Sequence, residues 1–482
     1  MAAQRKPNLI LFLPDQQRAD TLACYGGVKV HAPNLNKLAS QSVIFERTYV
    51  THPVCTPSRS SLMTGTWPHI NGCTHNSVPL DRRFRIFPEL MQDQDYRTAY
   101  IGKWHLGEDG PAGRGFQHWI STDGHGDYSN FLISKNIPPD KANGRFSEVA
   151  ISNLPIELSR PKFLQKHACE FIEKHQRDPF ILVVAFVEPH SPYNGPLNNV
   201  NPLDEVELDA TATLPEDEDI PLRYHLMREW QQAEALLDRE RLPIQLFFGI
   251  TPDEYRSIKQ RYLGLVMLVD QSIGAILGCL EECGLTEHTI VMHTSDHGDS
   301  LGAHHLFGKE TMFEEATRVP WLIRLLGQTQ QKMISNPVSH IDFVPTLLDL
   351  LGQPSHPQCA GKSLLPLIND QLSAGTPLKT ADATGPVFLE WAPNRTKVKK
   401  GSRLARRRVI KRAVEESTRT LVSPEGWKLC LRDKDLNELY NLNEDPFETR
   451  NLYPEPQYAA VVSGFTTEIR RWQDATNDKL KL

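Results

Sequence analysis

The stretch VCTPSRSSLMTG, residues 54 to 65, places a lone cysteine directly before a predicted helix. Thr56 is a suitable N-cap, Pro57 fits the first helical turn and Gly65 suits the C-terminal stop. Free N–H groups at a helix N-terminus attract anions and lower the pKa of a thiol, and Arg59 would add a guanidinium group at the same place. The stretch therefore indicates a nucleophile that faces a phosphate or a sulfate group.

Two other interpretations of Cys55 remain open from this stretch alone. The first is a buried structural cysteine, since free cysteine is among the most frequently buried residue types. The second is the loop of a thiolate phosphatase, in which the spacing between Cys and Arg is longer and rich in glycine. Only three residues separate Cys55 from Arg59, and none of them is glycine. The rest of the chain has to decide between these interpretations.

Composition and charge set limits on the class of protein. A chain of 482 residues is long enough for a large core, and its net charge of −6 gives no indication of a nucleic-acid or membrane partner. The apolar run from Leu9 to Leu13 is too short for a signal peptide, and no run approaches the roughly 20 apolar residues of a membrane span. The eight cysteines show no paired spacing, which favours a reduced, cytoplasmic location.

Short apolar runs alternate with helical segments along the chain. The predicted strands are NLILFL (8–13), TAYI (98–101), FILVVAF (180–186) and TIVMHT (289–294). The predicted helices cover residues 33–40, 57–64, 161–175, 252–283 and 341–351. This alternation predicts an α/β fold with a large, mostly parallel or mixed sheet between two layers of helices.

Each predicted strand is followed by polar or charged side chains. The segments that follow the four strands are Pro14-Asp15-Gln16, Gly102-Lys103-Trp104-His105, Glu188-Pro189-His190 and Ser295-Asp296-His297-Gly298. Taken singly, each segment fits a turn, a helix cap or a surface histidine. Because ligands bind at the carboxyl ends of the strands in open α/β sheets, we expect the four segments to converge on one crevice.

These segments together resemble the type I sulfatases of the alkaline phosphatase superfamily. CTPSR (55–59) followed by SSLMTG resembles the sulfatase signature in which the cysteine is oxidised to formylglycine after translation. GKWHLG (102–107), EPHSPY (188–193) and TSDHGDSLGAHHLFGKE (294–310) resemble three further motifs of that family, in the same order. The resemblance extends along almost the whole chain, to ELYNLNEDPFETRNL near its end. It implies an alkaline-phosphatase-like α/β fold and hydrolysis of a sulfate monoester to an alcohol and inorganic sulfate.

The resemblance also implies a role for particular side chains. Lys103 and Lys309 would bind sulfate oxygens, and Arg59 would support the modified cysteine. His105 would contact the formylglycine, and His190 would lie near the leaving-group oxygen. The implied catalytic set is Cys55, Arg59, Lys103, His105, His190 and Lys309. The implied ligands of one divalent metal ion are Asp15, Gln16, Asp296, His297 and the modified Cys55.

Two positions depart from the sulfatase pattern. Many sulfatases have a second Asp where this chain has Gln16, and an Asn where it has His297. The imidazole makes Mn²⁺ more plausible than it would otherwise be, although Ca²⁺ is the first expectation. Phosphonate monoester and phosphodiester hydrolases of the same superfamily share features of this variant and are the alternative function. A binding protein without activity is disfavoured because every implied catalytic position is filled.

Other segments bear on the domains and the partners. We expect a catalytic domain of residues 1–370 and a C-terminal subdomain of residues 371–482, with strands of a small antiparallel sheet at 385–391 and 427–431. An acidic, proline-interrupted insertion (195–250) matches no family motif and could form a rim. Residues 394–414 hold ten Lys or Arg and no acid, which fits a solvated loop or hairpin, a basic wall for an anionic substrate or a subunit contact.

The expected partners are a small-molecule or carbohydrate sulfate ester and a formylglycine-generating maturation enzyme. We expect no nucleic-acid partner and no membrane contact. The sequence leaves open whether the chain forms a homo-oligomer.

Overall fold

A computed structural model describes residues 5–26, 31–93, 95–122, 126–215, 219–238, 251–372, 385–394 and 396–482 of the chain. Its strands are β1 (Asn8–Phe12), β2 (Val43–Tyr49), β3 (Arg97–Gly102), β4 (His118–Ser121), β5 (Phe180–Ala185), β6 (Thr289–Thr294), β7 (Arg318–Val319), β8 (Trp321–Arg324), β9 (Lys332–Ser339), β10 (Val387–Trp391), β11 (Thr418–Val422), β12 (Trp427–Arg432) and β13 (Glu438–Asn441). Its α-helices are α1 (Pro33–Ala39), α2 (Cys55–Thr64), α3 (Pro68–Asn71), α4 (Phe87–Leu90), α5 (Asp127–Ser134), α6 (Glu148–Ser152), α7 (Arg160–Lys174), α8 (Leu222–Asp238), α9 (Pro252–Glu282), α10 (Glu314–Thr317), α11 (Phe343–Leu350), α12 (Leu365–Leu372), α13 (Arg407–Val414) and α14 (Ala459–Thr476). Every strand and helix predicted above is present, with ends shifted by at most two residues.

The large sheet has nine strands and is mixed, as expected. Its order is β4-β3-β5-β1-β6-β8-β2-β7, and β9 pairs with β2. The strands from β4 to β6 run parallel, and β8 joins antiparallel to both β6 and β2. Because β3, β5, β1 and β6 are parallel neighbours, their carboxyl ends lie along one edge of the sheet.

The side chains of β1 alternate between two hydrophobic cores. Leu9 and Leu11 pack with α2 and α11 on one face of the sheet. Ile10 and Phe12 pack with α1, α7 and α9 on the other face. The alternation follows from the two-residue period of a strand. Because both faces of the sheet are buried, both sets of side chains are apolar, and the strand sequence is a continuous apolar run.

The helix α9 is long and apolar enough to cross a membrane by length and composition alone, although charged and polar residues interrupt its apolar sequence. Within the protein, 72% of its apolar window is buried. Its residues Val269, Ile273 and Ile276 belong to the core beneath the large sheet. That burial is what a core helix of a folded domain shows.

The small sheet has the antiparallel order β10-β11-β12-β13. Leu389 and Trp391 of β10 share a hydrophobic cluster with Tyr49 and Val54, which precede α2. The small sheet therefore packs directly behind the segment that carries Cys55. The predicted boundary at residue 370 falls within α12 and stays a prediction.

Two segments singled out in the sequence contain further helices. The insertion 195–250 includes α8, while its residues 216–218 and 239–250 lie outside the described residues. The basic stretch includes α13, and its residue Arg395 lies outside the described residues. α13 packs against α8, so the two segments are neighbours.

Candidate active site

The predicted residues converge at the carboxyl edge of the large sheet. Asp15 and Gln16 follow β1, and Asp296 and His297 follow β6. Lys103 and His105 follow β3, and His190 follows β5. Gly102 makes the turn into this segment possible, because an added Cβ would lie 1.9 Å from the carbonyl oxygen of Ala185.

Cys55 begins α2 and lies at the centre of this group. It is the first helical residue, and the N-cap is Val54, so the prediction of Thr56 as the N-cap was wrong by two positions. The hydroxyl of Thr56 instead donates a hydrogen bond to the carbonyl oxygen of His105, at 3.0 Å. This contact ties the start of the helix to the loop that follows β3.

Cys55 is buried among cations. Its Sγ lies 3.0 Å from Lys309 Nζ and 3.2 Å from His297 Nε2. Lys103 Nζ lies farther away, at 3.9 Å. Burial raises the pKa of the Cys55 thiol, but Lys103 and Lys309 outweigh it and bring the pKa well below its usual range. The surroundings therefore favour negative charge at this position.

Four of the predicted metal ligands form one compact group. The ligand atoms of Asp15, Cys55, Asp296 and His297 lie within 4.8 Å of one another, and all four residues are buried. His297 Nδ1 lies 2.9 Å from the carbonyl oxygen of Gly298, which can only accept a hydrogen bond. Nδ1 therefore carries the proton in the neutral ring, and Nε2 is left as a lone pair directed at the group. Two carboxylates and an imidazole in this arrangement fit a divalent metal ion.

Arg59 holds the two carboxylates of this group. Its Nε donates to Asp296 at 2.7 Å, and its Nη2 donates to Asp15 at 3.2 Å. Its Nη1 donates to the carbonyl oxygen of Lys103 at 2.9 Å. Arg59 lies one turn along α2 from Cys55, which is why a single short helix can supply both the nucleophile position and this clamp.

Lys309 and His190 stand on one side of Cys55, and Lys103 and His105 on another. Lys309 Nζ lies 2.8 Å from His190 Nε2. His105 has a left-handed backbone with φ of 59°, and its buried Nδ1 has no hydrogen-bond partner among the described residues. The side chains named in advance are thus all brought together, and their individual roles stay predictions.

The sulfatase family model matches residues 7–353. The chain belongs to the sulfatase family. Enzymes of this family are sulfuric ester hydrolases, and their membership of the alkaline phosphatase superfamily agrees with the fold.

Two curated relatives align with most of the chain of this sulfatase. An N-acetylglucosamine-6-O-sulfatase from Bacteroides thetaiotaomicron is 26% identical over 94% of the chain and 84% of the relative. A multifunctional alkaline phosphatase superfamily protein from Trinickia caryophylli is 24% identical over 98% of the chain and 96% of the relative.

Solved structures share the fold. A protein in complex with its substrate D-glucosamine-2-N,6-O-disulfate matches with a TM-score of 0.75 and 23% identity, covering 98% of this chain and 99% of that one. The phosphonate monoester hydrolase of Agrobacterium radiobacter also matches with a TM-score of 0.75, at 22% identity, covering 98% of this chain and 96% of that one. At these identities the two structures support the fold alone.

Two residues of the sulfatase site were not named from the sequence, Asp299 and Tyr193. Gln16 Nε2 donates to the carboxylate of Asp299 and lies 3.4 Å from the hydroxyl of Tyr193. This orients the amide so that its oxygen accepts from Lys309, at 2.9 Å. Both residues lie inside the quoted motifs, but nothing in their spacing shows that they contact Gln16.

A cavity of about 380 Å³ opens next to this group. Lys309, His190 and Gln16 line its inner end. Met227 and Trp230 of α8 line it from the insertion. The cavity gives a substrate access to the side of Cys55 on which Lys309 stands.

Proposed function

We propose that this sulfatase hydrolyses a sulfate monoester with a formylglycine derived from Cys55 as its nucleophile. The observation that supports this is the position of Cys55, which is buried among Lys309, Lys103 and His297, while Lys309 also lines an open cavity. A maturation enzyme would convert the thiol before turnover. The hydrated aldehyde would supply an oxygen nucleophile and a second hydroxyl through which sulfate is later released.

The side chains around Cys55 supply charge and protons. A sulfate ester spreads its charge over several oxygens, so cations placed around the sulfur lower the barrier. Lys309 and Lys103 are the cations nearest to Cys55 Sγ and would bind these oxygens. His190, which contacts Lys309, would donate a proton to the departing alcohol oxygen, and His105 would remove the hydrate proton during release of sulfate.

One divalent metal ion completes this proposal, with Ca²⁺ as the first expectation. The carboxylates of Asp15 and Asp296, the amide oxygen of Gln16 and the lone pair of His297 would hold it, together with the oxygen of the modified Cys55. When bound, the ion would add positive charge next to the sulfate oxygens. The oxygen donors suit Ca²⁺, and the imidazole also suits Mn²⁺.

Mass spectrometry of the peptide that carries Cys55 tests the nucleophile. We expect formylglycine when the chain is produced together with a maturation enzyme, and thiol when it is produced without one. Turnover should follow the fraction of modified chain. Full activity in a preparation that contains only the thiol would overturn the mechanism.

A phosphonate monoester or phosphodiester hydrolase is the second candidate. Its support is the pair Gln16 and His297 in the ligand set, at positions where many sulfatases have Asp and Asn. Metal analysis of the purified protein, combined with rates on matched sulfate and phosphate esters, separates the two candidates. We expect higher rates on the sulfate ester, whereas Mn²⁺ with preferred phosphonate or phosphodiester turnover would make the second candidate correct.

A further inference from the structure

The cavity is lined by a second lysine besides Lys309. Lys397 lines the cavity together with Trp230 of α8, and its Nζ lies 4.6 Å from the centre of the Trp230 ring. A cation over an aromatic face is attracted to it, so Trp230 holds Lys397 at this position. No carboxylate among the described residues forms an ion pair with Lys397, which leaves its charge available to a ligand.

Lys397 begins a run of exposed cations, which we call the basic segment (residues 396–412). The segment has no acidic residue, and all of its Lys and Arg side chains are exposed. These are Lys397, Lys399, Lys400, Arg403, Arg406, Arg407, Arg408, Lys411 and Arg412. The net charge of the whole chain is −6, so this positive charge is concentrated locally, and one member of the segment, Lys411, pairs with Glu415 at 3.8 Å.

The basic segment is continuous with the cavity. Its first part lines the cavity through Thr396 and Lys397. Its last part is α13, which packs against α8, the helix that also carries Trp230. The segment therefore lies against the same helix that supplies Met227 and Trp230 to the cavity.

The cavity wall beside Lys397 also carries groups that suit sugar hydroxyls. Glu310 and Asn394 line the cavity and hydrogen bond to each other. Asn394 is fixed in turn by the backbone N–H of Asn76, which donates to its side-chain oxygen at 2.9 Å. A carboxylate and an amide held in this way offer both acceptors and donors to a polyhydroxylated ligand.

We infer that the substrate is a saccharide chain with several anionic groups, of which one sulfate ester enters the cavity while others bind Lys397 and the basic segment. The inference rests on the proposed sulfatase function. The exposed apolar side chains of the segment, Leu404 and Val409, would also suit an anionic membrane surface. The saccharide is favoured because the segment leads into the cavity.

Kinetics on a large and a small ester test this inference. The small substrate is 4-nitrophenyl sulfate, and the large one is a polysulfated oligosaccharide. The variants are Lys397→Gln and the triple variant Arg406→Gln, Arg407→Gln, Arg408→Gln. A triple variant at exposed lysines of other surfaces, Lys135→Gln, Lys479→Gln, Lys481→Gln, is the matched control.

We expect the basic-segment variants to lower kcat/KM on the oligosaccharide on the order of tenfold more than on the small ester, because clustered charge accelerates association with an anionic ligand. The difference should shrink at high salt, where exposed charges are screened. The control should leave the ratio of the two rates unchanged. Equal effects on both substrates, or an equal effect of the control, would overturn the inference.

A binding measurement keeps this test separate from the proposed activity. Labelled dextran sulfate, uncharged dextran and phosphatidylglycerol vesicles are the probes, applied to the full chain. We expect binding of dextran sulfate that the segment variants weaken and no binding of uncharged dextran. Failure to hydrolyse any sulfate ester would refute the proposed function alone. Unweakened binding of dextran sulfate, or tighter binding to the vesicles than to dextran sulfate, would refute the basic segment as a saccharide site.

Discussion

Among the fully buried ionic networks of the described residues, two invite comparison because only one of them surrounds a nucleophile. In the catalytic network, Arg59 joins Asp15 and Asp296 beneath Cys55. In the second network, Glu416 pairs with Arg223 of α8 at 2.8 Å, and Arg432 of the small sheet lies beside it at 3.9 Å. The side chains of both sets are no more than 1% exposed.

Burial and pairing are therefore common to both networks and do not mark the functional one. The second network connects α8 to the small sheet, and Arg223 also lies over the ring of Trp391. The catalytic network differs because its cations converge on Cys55 and because a cavity opens beside it. A thiol surrounded by positive charge, with a neighbouring lysine that lines a cavity, is the feature that distinguishes the reactive site from the structural network.

The largest effect that separates the networks should come from Cys55→Ala. Removing the nucleophile should lower kcat on the order of a millionfold. The free energy of unfolding should change little by comparison, because only one sulfur atom is lost. Cys73→Ala, a buried cysteine outside the site, is the control and should keep its activity. Residual turnover of the Cys55 variant near that of the parent protein would show that the nucleophile is another group.

In the second network, Glu416→Gln should lower the free energy of unfolding. The change leaves Arg223 buried without its counterion, which costs about 3 to 5 kcal/mol in the free energy of unfolding. The kcat of the protein that remains folded should stay within a few-fold of the parent value. Urea unfolding together with rates at low temperature measures both quantities. A large loss of kcat without loss of stability would place Glu416 in the active site instead.

Lys309→Ala should have the opposite effect to Glu416→Gln, because it should lower kcat and leave stability nearly unchanged. Loss of one cation from an oxyanion site lowers kcat on the order of 100-fold to 1,000-fold. Stability should be nearly unchanged, because Lys309 is partly exposed to the cavity. Lys481→Ala, at an exposed lysine elsewhere, is the control. Near-full turnover of the Lys309 variant would remove this residue from the proposed mechanism.

A buried carboxylate outside both networks, Glu315, should make stability depend on pH. Burial raises the pKa of Glu315 to about 7, although Arg18 opposes the shift. The unfolded chain has a lower pKa, about 4.3, so the folded state binds more protons between these values and loses stability as the pH rises through them. We expect Glu315→Gln to be more stable than the parent by about 3 to 4 kcal/mol at pH 8 and within about 1 kcal/mol of it at pH 4.5.

Urea unfolding at both pH values checks this expectation, with Glu173→Gln at an exposed site as the control. The control should follow the pH dependence of the parent protein. Parallel pH profiles of the Glu315 variant and the parent would mean that Glu315 is ionised in both states.

The smallest effect should come from Asp299→Asn. Without this carboxylate the amide of Gln16 loses the acceptor that orients its oxygen toward the site. Partners of metal ligands typically contribute ten-fold to a hundred-fold to metal affinity. Competition with a chelator measures that affinity, and Tyr193→Phe, which removes the weaker contact of Gln16, should cost less. An unchanged affinity for the metal ion would show that Gln16 is not a ligand.

Some elements of the fold could not be predicted from the sequence. The strands β11 and β13 of the small sheet were not predicted, because four or five residues with mixed polarity carry little periodicity. The helix α13 was not predicted, because its apolar side chains are too few to indicate a buried face. Both elements depend on neighbours far away in the chain.

The sequence by itself determined which strands carry the site, because apolar runs followed by Asp15, Lys103, His190 and Asp296 predict parallel strands with a common polar edge. It also determined the family, because the motifs occur in a fixed order. Only the tertiary structure decided which cations contact Cys55, that Asp299 orients Gln16, and that the basic segment leads into the cavity. These contacts join residues that are far apart along the chain, and local pattern contains no information on such distances.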